Sequence, residues 1–182
     1  MDPVWPLSIR NRFASIPANP RENDYYAPYN KLLNFLFPVD SPFAVGPQKH
    51  PIAESGDFTF EYQVFWGDAP VFILEIKTGT KLGLLSAREE SDLRFRRRLR
   101  DLVGICPLSK LRGVSAIGTK LCFYTADDRT ITPPRIVADD QFTIDTAPRE
   151  RWDCDVLEAE GAARLKAVVH EIQQACAQLD IW

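Results

Sequence analysis

The segment 71–76 constrains the fold of this chain more than any other. Every residue in it is apolar except Glu75, so the strand that it predicts must be covered on both faces, as in the middle of a sheet. A second segment with strand character, 58–65, precedes it, and the turn-forming residues of 66–70 separate the two. This spacing predicts a β-hairpin whose second strand is buried.

Charged residues stand where this hairpin begins and ends. Asp57 precedes the first strand, and Glu75 and Lys77 close the second. Because hairpin strands run antiparallel, the three side chains should meet at one end of the sheet, on one face if the turn has an odd length or a strand has a bulge. Two carboxylates and an amine in one place suit metal-assisted cleavage of a phosphodiester. The alternative is a structural ion pair for Glu75, since a buried carboxylate is costly unless it is paired or metal-bound.

Helical periodicity flanks the hairpin. A helix is predicted at 24–36, and a short strand at 51–54 leads into the hairpin. Ser86 and Glu89 have the spacing of a capping box, which predicts a second helix at 86–103. Further along, the pattern predicts strands at 114–117 and 120–125 and a last helix at about 155–179.

Proline and loop residues divide the chain into three parts of one predicted domain, 1–182. Nine of the fourteen prolines lie in the first 51 residues, so 1–50 is expected to wrap the core and to contain one helix. Residues 51–125 hold the hairpin motif, and 126–182 supply a loop and the C-terminal helix. The apolar stripe of that helix predicts packing on the sheet or on a second copy of the chain, which would give a homodimer.

Composition argues against several classes of protein. No apolar run approaches the ~18 residues that a membrane span needs, and a net charge of -3 argues against a protein that coats nucleic acid through charge alone. The four cysteines are widely spaced and are predicted to be reduced. The first residues lack the features of a signal peptide, so we expect an intracellular location, in the cytoplasm or the nucleus.

The order of motifs along the chain has a counterpart among nucleases. With Asp57, then Glu75-Ile76-Lys77, then the helix that starts at Ser86 and the strands after it, the chain resembles the PD-(D/E)xK, or restriction endonuclease-like, superfamily. The resemblance covers residues 22–125, and Gly56 stands where the family motif has proline. It implies an α/β fold of the restriction endonuclease-like type, with a mixed sheet flanked by helices.

The resemblance also implies an activity, namely hydrolysis of nucleic acid with Mg²⁺ or Mn²⁺ as cofactor. The carboxylates of Asp57 and Glu75 and the backbone carbonyl of Ile76 would ligate the cation. Lys77 would orient or deprotonate the attacking water, or neutralise charge that develops on the phosphate. A fold of this type does not guarantee activity, so a catalytically inactive binding or scaffold protein is the alternative.

The predicted helix at 86–103 carries five arginines between positions 94 and 100. Guanidinium groups bind phosphates through paired hydrogen bonds, so Arg94, Arg97 and Arg98 are candidates for contacts with nucleic acid. The periodicity places the arginines on the outer face of the helix. Acidic residues on the same helix can pair with them, which makes a solvated helix face the equal alternative.

Other charged residues are weaker candidates. Glu22 and Glu54 could add a metal ligand or a base, and Lys81 and Lys120 could contact phosphates. The alternative for each is a solvated surface residue. The phrase at 114–124 also resembles proteins of basidiomycete fungi, which implies a lineage but no activity.

Overall fold

The computed structural model describes residues 4–51 and 58–179. These residues form a mixed α/β structure in which helices flank one seven-stranded mixed sheet. The helices are α1 (Leu7–Ala14), α2 (Tyr26–Leu36), α3 (Leu85–Val103) and α4 (Ala159–Ala177). The strands are β1 (Phe43–Pro51), β2 (Phe58–Trp66), β3 (Ala69–Lys77), β4 (Leu111–Ile117), β5 (Lys120–Ala126), β6 (Ile131–Thr132) and β7 (Cys154–Asp155). The order across the sheet is β1-β2-β3-β4-β5-β6, and β7 pairs with β5.

The predicted hairpin is confirmed, and a bulge sets its register. β2 and β3 pair antiparallel, and Gly67 in the turn between them has a φ of 57°, which glycine adopts without steric cost. The pairing shifts by one residue between Val64 and Phe65. Because of this shift, Glu61 lies directly opposite Glu75, and their side chains share one face of the sheet.

The connection from β3 to β4 brings α3 over that face. These two strands are parallel, and parallel strands require a long crossover, which α3 supplies. Gly113 of β4 has no room for a side chain, because an added Cβ would lie 2.9 Å from the ring of Phe95 on α3. The absence of a side chain at Gly113 therefore allows α3 to lie close to the sheet.

Different helices cover the two faces of the sheet. Leu74 and Ile76 of β3 belong to the buried cluster that includes α1, α2 and α4. Ile73 belongs to the second cluster, together with Phe95 and Leu99 of α3. Since alternate residues of a strand face opposite sides, Glu75 lies on the same side as Ile73, under α3, where Ser91 donates a hydrogen bond to it.

The N-terminal part of the chain differs from the prediction. It contains two helices, α1 and α2, where the sequence predicted one, and β1 spans Phe43–Pro51 where a short strand was predicted at 51–54. Pro47 and Pro51 are compatible with β1 because it forms the edge of the sheet, where an N–H can be missing without breaking a ladder. The part of the predicted strand at 52–54 lies outside the described residues.

Two predicted helix starts were also wrong. α3 begins at Leu85, its N-cap is Leu84, and no side chain caps it, so Ser86 lies inside the helix and the predicted capping box is not formed there. α4 begins at Ala159 because Asp155, where the periodicity placed the helix start, pairs with β5 as part of β7. At α4 the helical periodicity therefore yielded to strand pairing with a distant part of the chain.

The apolar stripe of α4 is covered within the chain. Leu165, Val169, Ile172 and Cys176 are buried in the cluster that α4 shares with the sheet. Of the two predicted ways to cover the stripe, packing on the sheet is the one that the structure shows. The surface on which the homodimer expectation depended is therefore already occupied.

The helices and the cysteines bear on membrane insertion and on redox state. In those residues, no helix has the length and apolar character needed to cross a membrane. All four cysteines of the chain are described, and all four are free thiols. Burial raises the pKa of Cys122 to about 12 and that of Cys154 and Cys176 to about 11, so these thiols stay protonated near neutral pH.

Candidate functional site

A row of polar residues crosses the middle of the sheet beneath α3. Glu61 of β2, Glu75 of β3 and Ser115 of β4 lie side by side in register. Their exposed fractions are 1%, 2% and 0%. Polar groups at this depth require hydrogen bonds or opposite charges, so the partners of each carboxylate determine the chemistry of the row.

Glu75 is only partly compensated by its neighbours. Ser91 of α3 donates a hydrogen bond to it, with 3.2 Å between Oγ and Oε2. Burial raises the pKa of Glu75 from 4.5 to about 7, although the charges of Lys77 and Arg94 oppose this rise, and the charge of Glu61 adds to it. A cation bound at this carboxylate would favour its ionised form and lower its pKa.

Glu61, in contrast, accepts hydrogen bonds from two side chains at one carboxylate oxygen, Oε1. Arg98 donates from Nε to Oε1 over 2.8 Å, and Gln63 donates from Nε2 to the same oxygen over 2.7 Å. His50 Nε2 lies 3.3 Å from this oxygen and 2.9 Å from Nη2 of Arg98. The guanidinium of Arg98 therefore balances the buried charge of Glu61.

Lys77 is held at the end of β3 by an acid from the N-terminal part of the chain. Its Nζ lies 3.3 Å from Oε2 of Glu22, and the two side chains are 12% and 30% exposed. The hydroxyl of Tyr26 donates to the other oxygen of Glu22 over 2.8 Å. Burial, followed by the nearby Glu22 carboxylate, raises the pKa of Tyr26, so this hydroxyl remains a donor and holds the Glu22 carboxylate beside the ammonium group.

A cleft opens between α3 and the β1–β2 edge of the sheet. Its volume is about 340 Å³. Its lining combines the two buried acids with the three arginines that the sequence singled out, namely Glu61, Glu75, Arg94, Arg97 and Arg98. Lys77 does not line this cleft, but its charge is among those that act on Glu75. Acids and guanidinium groups thus face one solvent-accessible space.

Arg94 and Arg98 reach inward from α3, which corrects the predicted outward face. Arg94 donates from Nη1 to the hydroxyl of Thr59 over 3.0 Å, and its Nη2 pairs with Glu90 at 2.6 Å. About a fifth of each arginine side chain is exposed, 20% for Arg94 and 21% for Arg98. Both guanidinium groups therefore lie at the boundary between the buried acids and the cleft.

Arg96 is a second departure from the predicted outer face, whereas Arg97 and Arg100 are exposed, as the periodicity predicted. Arg96 is 2% exposed, and its Nε pairs with Asp92 at 2.8 Å. Asp92 also accepts hydrogen bonds from Tyr124 over 2.7 Å and from Arg151 over 3.0 Å. The helical periodicity missed this arrangement because a buried acid one turn away makes an interior arginine acceptable.

A larger cavity on the other side of α3 is a weaker candidate for a reactive site. It has a volume of about 440 Å³ and lies between the helix and the loop 135–146. Of its acids, Asp92 is paired as described above, and Glu89 accepts hydrogen bonds from the backbone and hydroxyl of Thr146 over 3.2 and 2.8 Å. The incompletely compensated carboxylate of Glu75 faces the smaller cleft instead.

The other predicted site residues are distributed as follows. Asp57 and Glu54 lie outside the described residues, so the expected meeting of Asp57 with Glu75 stays a prediction. Glu22 does lie next to the predicted lysine of β3, as reported above. Lys81 is exposed in the short 3₁₀ helix Gly79–Gly83, and Lys120 lies 3.6 Å from Asp155 at the start of β5.

Sequence reasoning missed Glu61 and His50. Along β2, polar residues at 59, 61 and 63 alternate with aromatic ones, and such alternation is typical of a strand with one face in water. Here α3 covers the polar face, and Glu61 is buried. A bulge was one of the features expected to bring Asp57 and Glu75 to one face of the sheet. The same bulge would place Glu61 on that face, because Glu61 and Asp57 are an even number of residues apart along the chain. This parity was the signal that could have identified Glu61.

The oxygen atoms at this site suit a hard divalent cation. Mg²⁺ is typically held by one or two carboxylates together with water, and Glu75 offers a buried carboxylate that its neighbours only partly compensate. Within residues 4–51 and 58–179, no cluster of three or more His, Cys, Asp or Glu side chains is arranged to hold a metal ion. The fit therefore depends on Glu75, with Asp57 as the second expected carboxylate.

Comparisons with known proteins assign no family. No protein-family model matches the chain, and no curated protein or solved structure matches it significantly.

Proposed function

We propose that this protein is a Mg²⁺-dependent nuclease with a restriction endonuclease-like fold. The observation that carries the proposal is the environment of Glu75. Its carboxylate is 2% exposed on a central strand, faces a cleft lined by arginines, and lies close enough to Lys77 for the lysine charge to lower its pKa. Acid and guanidinium groups around one cleft, with an amine outside it whose charge acts on the acid, suit phosphoryl transfer to water.

The order and pairing of the elements support the fold assignment. A helix, α2, precedes the antiparallel hairpin of β2 and β3, and the crossover helix α3 leads to β4, which pairs parallel to β3. The acid and the lysine of the motif are at the end of β3, at Glu75 and Lys77. This is the arrangement expected from the resemblance of residues 22–125 to endonuclease-like proteins.

The cation would be held by oxygen ligands from the hairpin. Glu75 and Asp57 would supply carboxylates, and Ile76 would supply its backbone carbonyl. When bound, Mg²⁺ supplies Lewis acidity, which polarises the phosphoryl oxygen and makes a bound water more acidic. Ionisation of Glu75, which burial disfavours, would then be favoured by the opposite charge.

Lys77 would act on the attacking water or on the phosphate. An ammonium group held near the scissile bond can orient water by hydrogen bonding, and it can neutralise charge that develops on the phosphate oxygens. Glu22 fixes Nζ from 3.3 Å away, so it would serve as a positioning residue for the lysine. Arg94, Arg97 and Arg98 would contact the phosphate backbone from α3.

Cleavage assays on single- and double-stranded DNA and RNA test this proposal. Wild type should cleave at least one of these substrates in Mg²⁺ or Mn²⁺ and lose the activity in EDTA. Lys77→Ala should remain folded and lose roughly 10² or more in rate, as expected when a general base or charge stabiliser is removed. Lys31→Ala, which changes an exposed lysine of α2, should cleave like wild type.

A catalytically inactive binding or scaffold protein remains the second candidate, because one structural observation favours it. Glu61, the acid beside Glu75, is already balanced by Arg98, as in a structural ion pair. This candidate requires that wild type and Lys77→Ala behave alike on every substrate. Equal activity, or none in carefully purified wild type, would therefore contradict the nuclease proposal and favour the scaffold.

A further inference from the structure

Two of the three arginines that line the cleft, Arg94 and Arg98, are engaged with side chains of the sheet beneath α3. Arg98 Nε lies 2.8 Å from Glu61 Oε1, and Arg94 bonds Thr59 on the same strand and contributes its charge at Glu75. Arg94 and Arg98 are four residues apart on α3, so they project from one side of the helix. Arg94 and Arg98 therefore place two positive charges near the position where a divalent cation, with two more, would bind.

The position of Arg98 allows a second arrangement. Its side chain is 21% exposed and lines the cleft of about 340 Å³, so the guanidinium has solvent-accessible space on one side and Glu61 on the other. A cation near Glu75 would repel Arg98 and attract the Glu61 carboxylate at the same time. Both effects weaken the contact between Arg98 and Glu61.

We propose that Arg98 is an internal counter-cation that is exchanged between two anions. Without a divalent cation it balances Glu61, and when a cation binds beside Glu75 it is released into the cleft to bind a phosphate group of the nucleic acid. This inference rests on the proposed function and specifies how metal and substrate binding are coupled at that site. Arg98 acts there as a binding residue for phosphate, and its pairing with Glu61 is the cation-free state.

The exchange makes metal and phosphate binding cooperative. Because each ligand favours the state in which Arg98 has left Glu61, each must raise the affinity of the protein for the other by the same factor. The exchange also implies that Arg98 opposes cation binding in the absence of substrate. Removing the guanidinium should therefore strengthen cation binding and abolish most of the coupling.

Mn²⁺ affinity tests the first consequence without reference to activity. Free Mn²⁺ is measured by electron paramagnetic resonance during titration of wild type, Arg98→Met and the control Arg100→Met, which changes an exposed arginine of the same helix. Arg98→Met should bind Mn²⁺ at least about tenfold more tightly than wild type, since one nearby positive charge is removed. Arg100→Met should stay within about twofold of wild type.

Oligonucleotide affinity tests the second consequence. In a Lys77→Ala background, which slows cleavage, fluorescence anisotropy of a short labelled DNA or RNA gives the affinity with and without Mn²⁺. Mn²⁺ should strengthen binding at least tenfold with Arg98 present and at most about twofold in Lys77→Ala/Arg98→Met. An equal gain in both proteins would overturn the exchange.

The outcomes separate this inference from the proposed function. Equal Mn²⁺ affinity in wild type and Arg98→Met would overturn the exchange and leave the nuclease proposal standing. If Arg98→Met binds Mn²⁺ and wild type does not, the exchange is supported and the nuclease proposal is contradicted. If neither protein binds Mn²⁺, the exchange and the nuclease proposal are both overturned. If Arg98→Met fails to fold because Glu61 is left unpaired, Lys77→Ala/Glu61→Gln replaces it in the oligonucleotide assay: no carboxylate then holds Arg98 in the cation-free state, so Mn²⁺ should strengthen binding at most about twofold, and a gain of about tenfold or more would overturn the exchange.

Discussion

At the scale of single residues, Glu75 has the most unusual environment in the described part of the site. It lies beside a second buried acid, and burial raises its pKa to about 7, whereas that acid, Glu61, has Arg98 as a direct partner. The proton that Glu75 takes up near neutral pH is the one that a bound cation would displace.

This environment predicts an unusual pH dependence of stability. Between pH 4.5 and about 7, Glu75 binds a proton in the native state but not in the unfolded state, so the free energy of unfolding falls as pH rises through that window. Above pH 7 the decrease in the free energy of unfolding is complete and amounts to roughly 3 kcal/mol. Urea denaturation in EDTA, from pH 4.5 to 8.5, measures it.

The matched variant for this prediction is Glu75→Gln. Its amide does not ionise, so its free energy of unfolding should fall less between pH 5 and 8 than that of wild type, by roughly the same 3 kcal/mol. The difference between the two pH profiles removes the contribution of every group that titrates alike in wild type and in Glu75→Gln. If wild type and Glu75→Gln have parallel pH profiles, the raised pKa of Glu75 is wrong.

At the scale of elements, α3 determines which residues of the hairpin become buried. Its Ser91 bonds Glu75, its Arg98 bonds Glu61, and its Phe95 packs on the sheet. The close approach of α3 depends on Gly113, where an added Cβ would come within 2.9 Å of Phe95 and 3.1 Å of Ile73. The distance between helix and sheet is therefore set by one glycine of β4.

Gly113→Ala tests this dependence. The added methyl group should displace Phe95 or the helix and lower the free energy of unfolding by about 1–3 kcal/mol, as overpacking typically does. Gly104→Ala is the control, because a Cβ there meets no atom within 4 Å and its φ of -70° suits alanine. Chemical denaturation of both variants gives the comparison, and equal stability would show that α3 can shift at no cost.

The elements also show how far the sequence could predict this molecule. The buried run at 71–76 identified the central strand and the hairpin, because a segment that is apolar on both faces has few alternatives. The inward direction of Arg94 and Arg98 could not be predicted, since it depends on Thr59 and Glu61 of β2, which are distant in sequence. Likewise, periodicity alone could not show that Cys154–Asp155 pairs with β5 before α4 begins.

At the scale of the whole molecule, the sheet joins two parts of the chain at one site. The N-terminal segment contributes Glu22, which holds Lys77, and the crossover helix contributes the arginines. Strands β2 and β3 between them carry the buried acids. A ligand that binds only when these parts are assembled should stabilise the native state against unfolding by mass action.

Thermal unfolding with and without divalent cation therefore tests the central claim, that the hairpin carboxylates hold a metal ion, most directly. At pH 8, where Glu75 is ionised, millimolar Mg²⁺ or Mn²⁺ should raise the midpoint of unfolding in wild type. The rise should vanish in Asp57→Asn and in Glu75→Gln, while Glu90→Gln, which changes an exposed acid of α3, should respond like wild type. An unchanged midpoint in wild type, or an equal rise in all four proteins, would contradict a metal site at these carboxylates.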